Sequence, residues 1–204
     1  MKITKQWLKD KNACGEGVRW FLKQKDSEGI DVVKKLIKED KLDWAKWTIV
    51  RLMDYKGSVS YAVFAAEQVI DIFEKEYPED NRPRKAIEAA KRCIKDPSKE
   101  NKASAADASY AAYAFAASTA SYADDAANAA ATSAANAATS TASAADAAYV
   151  AADAAYAYAY AANAAYAAAN AYTSAAANAY TSAAAEKEMR LKILTYGIKL
   201  LEEK

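Results

Sequence analysis

"NAYTSAAANAYTSAAA", residues 170–185, is one eight-residue unit written twice, and its reading decides the fold. It closes a tract, 103–185, in which 46 of 83 residues are alanine, and no glycine or proline occurs from Ser98 to Tyr196. Alanine is the best helix former because it loses no side-chain entropy, and the tract has few β-branched residues to oppose it. The tract therefore predicts helix. One unbroken helix over 98–204 would run on the order of 150 Å at ~1.5 Å per residue and bury nothing, so turns are required. "STASYADD" (118–125) and "ATSTASAAD" (138–146) offer them through Ser121–Asp124 and Ser143–Asp146, which are capping boxes with a shortened acid. "NAYTS" (170–174) is a softer break. The expectation is three or four antiparallel Ala-rich helices of roughly five turns each.

Alanine contributes little apolar area, but it lets helix axes approach closely and makes backbone contacts dense. Tyr149, Tyr156, Tyr158, Tyr160, Tyr166, Tyr172 and Tyr180 supply the missing volume. Several sit one turn after an Asp or Asn, as in Asp146–Tyr149, Asp153–Tyr156 and Asn163–Tyr166. The duplicated unit then reads as a segment that slid and copied itself, because such helices tolerate any insertion that keeps one face small. Two rival readings fit less well. An ice-binding face needs threonines at an eleven-residue step, whereas Thr119, Thr132, Thr139, Thr141, Thr173 and Thr181 are separated by 13, 7, 2, 32 and 8. A disordered tail would carry more charge and fewer tyrosines.

The first half reads as short amphipathic helices with clear punctuation. Residues 3–10 and 14–24 place Trp7, Leu8, Val18, Phe21 and Leu22 at helical spacing. "DSEGID" (26–31) is a turn, and Val32, Val33, Leu36 and Ile37 then share one face. "DWAKWTIVRLM" starts at Asp43, read as an N-cap, and "DYKGS" (54–58) ends it. The next helix spans 58–77 with Ser58 or Ser60 as cap, and another restarts at Asn81 with Pro83 in its first turn and Pro97 as its stop. Met189, Ile193, Leu194, Leu200 and Leu201 return to amphipathic spacing and should rejoin the main core. The fold class is all-α: short amphipathic helices over 1–97 packed with an array of antiparallel Ala/Tyr-rich helices over 98–204, the two forming one globular unit.

The net charge of +1 hides an asymmetry. Residues 1–102 carry 23 Lys/Arg and 18 Asp/Glu, a net of +5, whereas 103–185 carry five aspartates and no basic residue. Either a basic lobe faces an acidic one within the chain, or a partner brings the complementary face. A balance this small speaks against nucleic acid as the ligand. No apolar run matches a signal peptide or a membrane span, and two cysteines, Cys14 and Cys93, form no disulfide framework, so a cytoplasmic protein with free thiols is expected. The chain has no histidine, the commonest general base and metal ligand. No phosphate loop or zinc set occurs, so neither a cofactor nor a metal is expected. Glu67, Glu74 and Glu88 read as solvated helix faces.

"IFEKEYPEDNRPRKAIEAAKRC" (72–93) is the most distinctive stretch. Together with "AAEQVI" (65–70), "DWAKW" (43–47) and "AC" (13–14), it resembles a family of bacterial and phage immunity proteins. That family combines a helical N-terminal half, an acid-Trp-Ala-x-Trp element, a Tyr-Pro-x-Asp-x-Arg-Pro-Arg-x-Ala-Ile segment and a long Ala-rich tail. The resemblance implies a non-enzymatic protein that neutralises a cognate toxin or effector by stoichiometric binding. The alternatives are a self-assembling helical protein and a phage-encoded inhibitor of a host defence protein. Charge and aromatics coincide at Asp43, Trp44, Trp47 and Arg51, then at Asp80, Arg82 and Arg84, which makes these the candidate partner-binding residues. Each has a structural reading as well: Trp44 and Trp47 as core, and Asp80, Arg82 and Arg84 as a clamp on the Pro78–Pro83 turn.

Overall fold

The computed structural model describes residues 1–71, 74, 77–116, 134, 135, 138 and 175–203, with backbone alone for 109–116 and 175–182. The described residues form eight α-helices and no strand, so the chain is all-α. They are α1 (Lys5–Asp10), α2 (Gly15–Phe21), α3 (Gly29–Lys38), α4 (Leu42–Leu52), α5 (Tyr55–Glu67), α6 (Arg82–Lys95), α7 (Lys99–Ala116) and α8 (Ala175–Glu202). No helix among them is long and apolar enough to cross a membrane.

Local chemistry sets the boundaries. Thr4 Oγ1 caps α1 by accepting from Trp7 N at 3.0 Å, and Cys14 Sγ caps α2 by accepting from Gly17 N at 3.3 Å. α1 and α3 end on residues in the left-handed region, Asn12 and Asp40, each with φ 57°. In both, the next amide reaches back to a carbonyl five residues earlier, Ala13 N to Leu8 O and Lys41 N to Leu36 O, each at 2.9 Å. These are Schellman closures with Asn and Asp where glycine is usual. Two cap expectations are corrected. α4 begins at Leu42, one residue after that closure, so Asp43 lies inside the first turn and not at the cap. α5 begins at Tyr55: Asp54 Oδ1 accepts from Gly57 N at 2.8 Å, so "DYKGS" starts a helix and neither Ser58 nor Ser60 caps it. Pro83 sits in the first turn of α6, and the chain leaves α6 at Asp96, just before Pro97.

α3 pairs with α4, α5 with α6, and α6 with α7, while α8 lies across α3, α4 and α5. The core draws Val32, Val33 and Leu36 from α3, Ile49 and Val50 from α4, Val59, Tyr61 and Ala62 from α5, and Ile87 from α6. α8 adds Ile193 and Leu194, with Met189, Leu200 and Leu201 packed partly buried against it. Each fully buried aliphatic side chain contributes about 1.5–3 kcal/mol. The paired helices α5 and α6 carry Ala65, Ala66, Ala86, Ala89 and Ala90, all wholly buried. From that tract itself, Ala134, Ala135 and Ala138 are wholly buried, and Tyr55 Oη donates to Ala138 O at 2.6 Å. Burial pushes the Tyr55 phenol up to about 12. The expected turns at 118–125 and 170–174, all of that at 138–146 except Ala138, and the tyrosines from Tyr149 to Tyr172 lie outside the described residues.

α8 comes close to α4 and α5 at Gly197. A Cβ there would stand 2.7 Å from Ile49 Cγ2 and 2.8 Å from Tyr61 Cε2, and both neighbours are wholly buried. Gly197→Ala adds helix propensity worth about 1 kcal/mol but forces two packed side chains apart. We expect a net loss of about 1–3 kcal/mol, read as a lower urea midpoint at unchanged m-value.

Candidate functional site

α4 presents Trp44 and Trp47 one turn apart, on the same face. Each meets a tryptophan from the N-terminal helices edge-on. Trp7 of α1 stands against Trp47 with centroids 5.9 Å apart and planes at 82°, and Trp20 of α2 against Trp44 at 6.3 Å and 66°. Trp20 Nε1 donates to Glu39 Oε2 at 2.7 Å, which ties α2 to the end of α3. Edge-to-face contact satisfies the ring quadrupoles but holds the helices apart. The gap is a cavity of about 330 Å³. Its lining runs from Ile3, Leu8, Val32 and Leu36 to Phe21, Trp20, Trp44 and Trp47, with Asn12, Ala13, Cys14, Gly17, Asp43 and Thr48 completing it.

Cations lie over the two α4 rings. Lys41 Nζ lies 5.2 Å from the Trp44 centroid, and Arg51 Cζ lies 5.5 Å from that of Trp47. Asp43 reaches from the cavity to α8, where Arg190 Nη1 donates to Oδ1 at 2.7 Å. Arg190 also donates from Nε to Glu186 Oε1 at 2.9 Å. Lys46, only 1% exposed, has its ammonium 3.9 Å from Asp43 Oδ1. The sequence reading placed Lys46 nowhere; its neighbours Ala45 and Ile49 in the buried stripe are the signal that could have found it. The structure thus gathers Asp43, Trp44 and Trp47 at one cavity, with Arg51 over the Trp47 ring and not in the lining. The two tryptophans are half-buried, partly core and partly wall.

Asp80, Arg82 and Arg84 do not line this cavity. Arg82 donates to both carboxylate oxygens of Asp80, from Nε at 2.9 Å and from Nη2 at 2.8 Å, and its backbone amide adds a third bond at 3.0 Å. Arg84 grips Glu74 with Nε and Nη2, each at 2.6 Å, and reaches Asp71 at 2.9 Å. The Glu74 pairing holds the guanidinium protonated beyond its ordinary range. This is the geometry of a clamp that fastens the start of α6 to the segment after α5. Among the described residues no group of His, Cys, Asp or Glu is placed to hold a metal.

The Arg82 side chain, hydrogen-bonded to Asp80, holds its carboxyl below the ordinary carboxylate range. A group depressed in the fold stabilises it above the unfolded pKa and loses that contribution as pH falls through the folded value. Asp80→Asn should therefore cost about 1 kcal/mol at neutral pH, discounted because Arg82 is partly exposed. Urea titrations at successive pH values should show the gap from wild type closing in acid.

Residues 1–55 match the YdhT N-terminal domain family. The matched stretch contains α1 to α4 and every residue that lines the cavity. No curated protein and no solved structure matches the chain.

Proposed function

We propose that this chain is a non-enzymatic protein-binding protein that neutralises a toxin or effector by stoichiometric binding, as an immunity protein does. The observation that carries this reading is the tryptophan-walled cavity on α4. Interfaces draw most of their energy from a few buried aromatic and arginine contacts ringed by weaker ones. Here Trp44 and Trp47 wall a cavity large enough for a partner's anchor side chain, Asp43 lines it, and Lys41 and Arg51 lie over the two rings. The lining supports binding over turnover. Its ionisable side chains are Asp43 and Cys14; the first is engaged by Arg190 and the second caps α2. The partner contact is accordingly placed on Asp43, Trp44, Trp47 and Arg51, with the Asp80–Arg84 clamp left to stability. A phage-encoded inhibitor of a host defence protein would use the same face on a different target.

One observation favours self-assembly as a second reading: the chain carries a basic first half and an acidic tract of opposite sign. Light scattering over a range of concentration separates the two, since a stoichiometric inhibitor keeps its mass constant.

The test is protection. Cells that express the chain are challenged with the toxins of a producing strain, and survival is scored for wild type and variants of equal melting temperature. Wild type should protect. Trp44→Ala should weaken the complex by about 2 kcal/mol or more, roughly thirtyfold, and Asp80→Asn should leave protection unchanged. Lack of protection against every toxin tried, with no complex on titration, would remove the reading.

A further inference from the structure

Seven basic residues and two acidic ones lie in residues 1–25, a net of +5, whereas 26–102 hold 16 of each sign. The whole basic excess of the first half is therefore carried by α1, α2 and their flanks. Lys5 and Lys9, one α-turn apart, line an open groove with Gln6, Asn12, Ala13 and Val18. That groove shares Asn12 and Ala13 with the tryptophan cavity, so the two adjoin. The Schellman closure of α1 makes the join, because it turns the chain at Asn12 and brings Ala13 N back to Leu8 O. Three lysines elsewhere are paired with carboxylates distant in sequence, Lys34 with Glu202, Lys91 with Glu67 and Lys187 with Asp40. Among the described residues no carboxylate pairs with Lys5 or Lys9.

The geometry points to a specific occupant: an acidic segment of the partner protein that seats one bulky apolar side chain among Trp20, Trp44 and Trp47 and lays its flanking carboxylates along Lys5 and Lys9. This rests on the binding-protein reading above and gives the partner its chemistry. The cavity, at about 330 Å³, is at the small end for ligand sites and suits a single side chain. A cationic anchor is disfavoured, because Lys41 and Arg51 already stand on the ring faces and Lys46 lies behind Asp43. The lysines give range and the cavity gives contact. Charge complementarity of this kind speeds encounter and weakens with salt, while the apolar anchor sets the dissociation rate.

The experiment titrates the full chain, by tryptophan fluorescence, with a peptide in which a central Phe is flanked by Glu and Asp. Its controls are the same peptide with Ala for Phe, the same with Lys for the acids, phosphatidylserine vesicles and a single-stranded oligonucleotide. Two variants are compared: Ala13→Leu, which fills the join, and Lys5→Glu/Lys9→Glu, which reverses the exposed charge without touching the core. The Phe-acidic peptide should bind saturably, weaken with added salt, and lose at least roughly tenfold in affinity in either variant. Equal binding of the Ala peptide, wild-type binding by both variants, or tighter binding of vesicles or oligonucleotide would overturn the assignment. So would self-association that competes with the peptide, which would make a second copy the occupant. The same variants in the protection assay separate the two readings. If both variants still protect, the docking site is wrong and neutralisation stands; if wild type fails to protect while the peptide binds as described, the reverse holds.

Discussion

The approach of α8 to α4 and α5 at Gly197 is the constraint on which the remaining architecture depends. A glycine inside a helix is unfavourable by about 1 kcal/mol relative to alanine. Here its missing Cβ is what lets Ile49 and Tyr61 lie against the α8 backbone. Once the helices are that close, Tyr196 stacks on Phe64 with centroids 3.9 Å apart and planes 13° from parallel. Three ion pairs then fall into register along the seam, Asp40–Lys187, Asp43–Arg190 and Lys34–Glu202. Exposed pairs of this kind contribute little each, so they orient α8 and the buried contact holds it. The consequence reaches the cavity, because the Asp43 carboxylate at its edge is fixed by a residue from the other end of the chain.

The cavity has an equally local cause. Protein interiors are close-packed and seldom leave voids larger than a water molecule. The gap beside α4 survives because α1 and α2, of six and seven residues, are too short to fold over it. Their tryptophans meet those of α4 by edges, a geometry that spaces helices more widely than aliphatic interdigitation would. Glu39 holds Trp20 at the end of α3, and the Asn12 closure fixes where α1 stops. The opening is therefore framed by helices and capped turns, the rigid kind of support that preserves a binding geometry.

How much of this was legible in the sequence follows from what each residue does. Helix type was readable throughout the described chain, because the 3.6-residue period of Val32, Val33 and Leu36 and the density of alanine admit little else. Pro83 and Pro97 marked their boundaries because proline acts on the backbone directly. The ends of α1 and α3 were harder. Asn12 and Asp40 do the work of glycine, and either residue type is at home on an ordinary surface. Asp43 and Asp54 were misread for a related reason, since aspartate suits a cap, a first turn or a loop equally: the closure at Asp40 leaves no room for a loop before Leu42, so Asp43 falls inside α4, and Asp54 takes the cap of α5 that Ser58 or Ser60 was expected to hold. The candidate residues on α4 came from one short motif and so stayed together in space. The joining of Asp43 to Arg190, 147 positions away, had no local signal.

Charge placement ties these observations into one physical picture. Seven basic side chains fall within the first 25 residues, three on α1 and α2 and four on their flanks. Like charges close in sequence repel mildly, and solvent screening keeps that penalty low beyond a Debye length of about 8–10 Å. The same field reaches a partner before contact does. Residues 1–55, the stretch similar to the YdhT N-terminal domain family, contain both this charge and the whole aromatic cavity. Long-range attraction and short-range fit are thus encoded in one contiguous segment. The C-terminal helix, through Gly197 and Arg190, supplies the rigidity that keeps the two aligned.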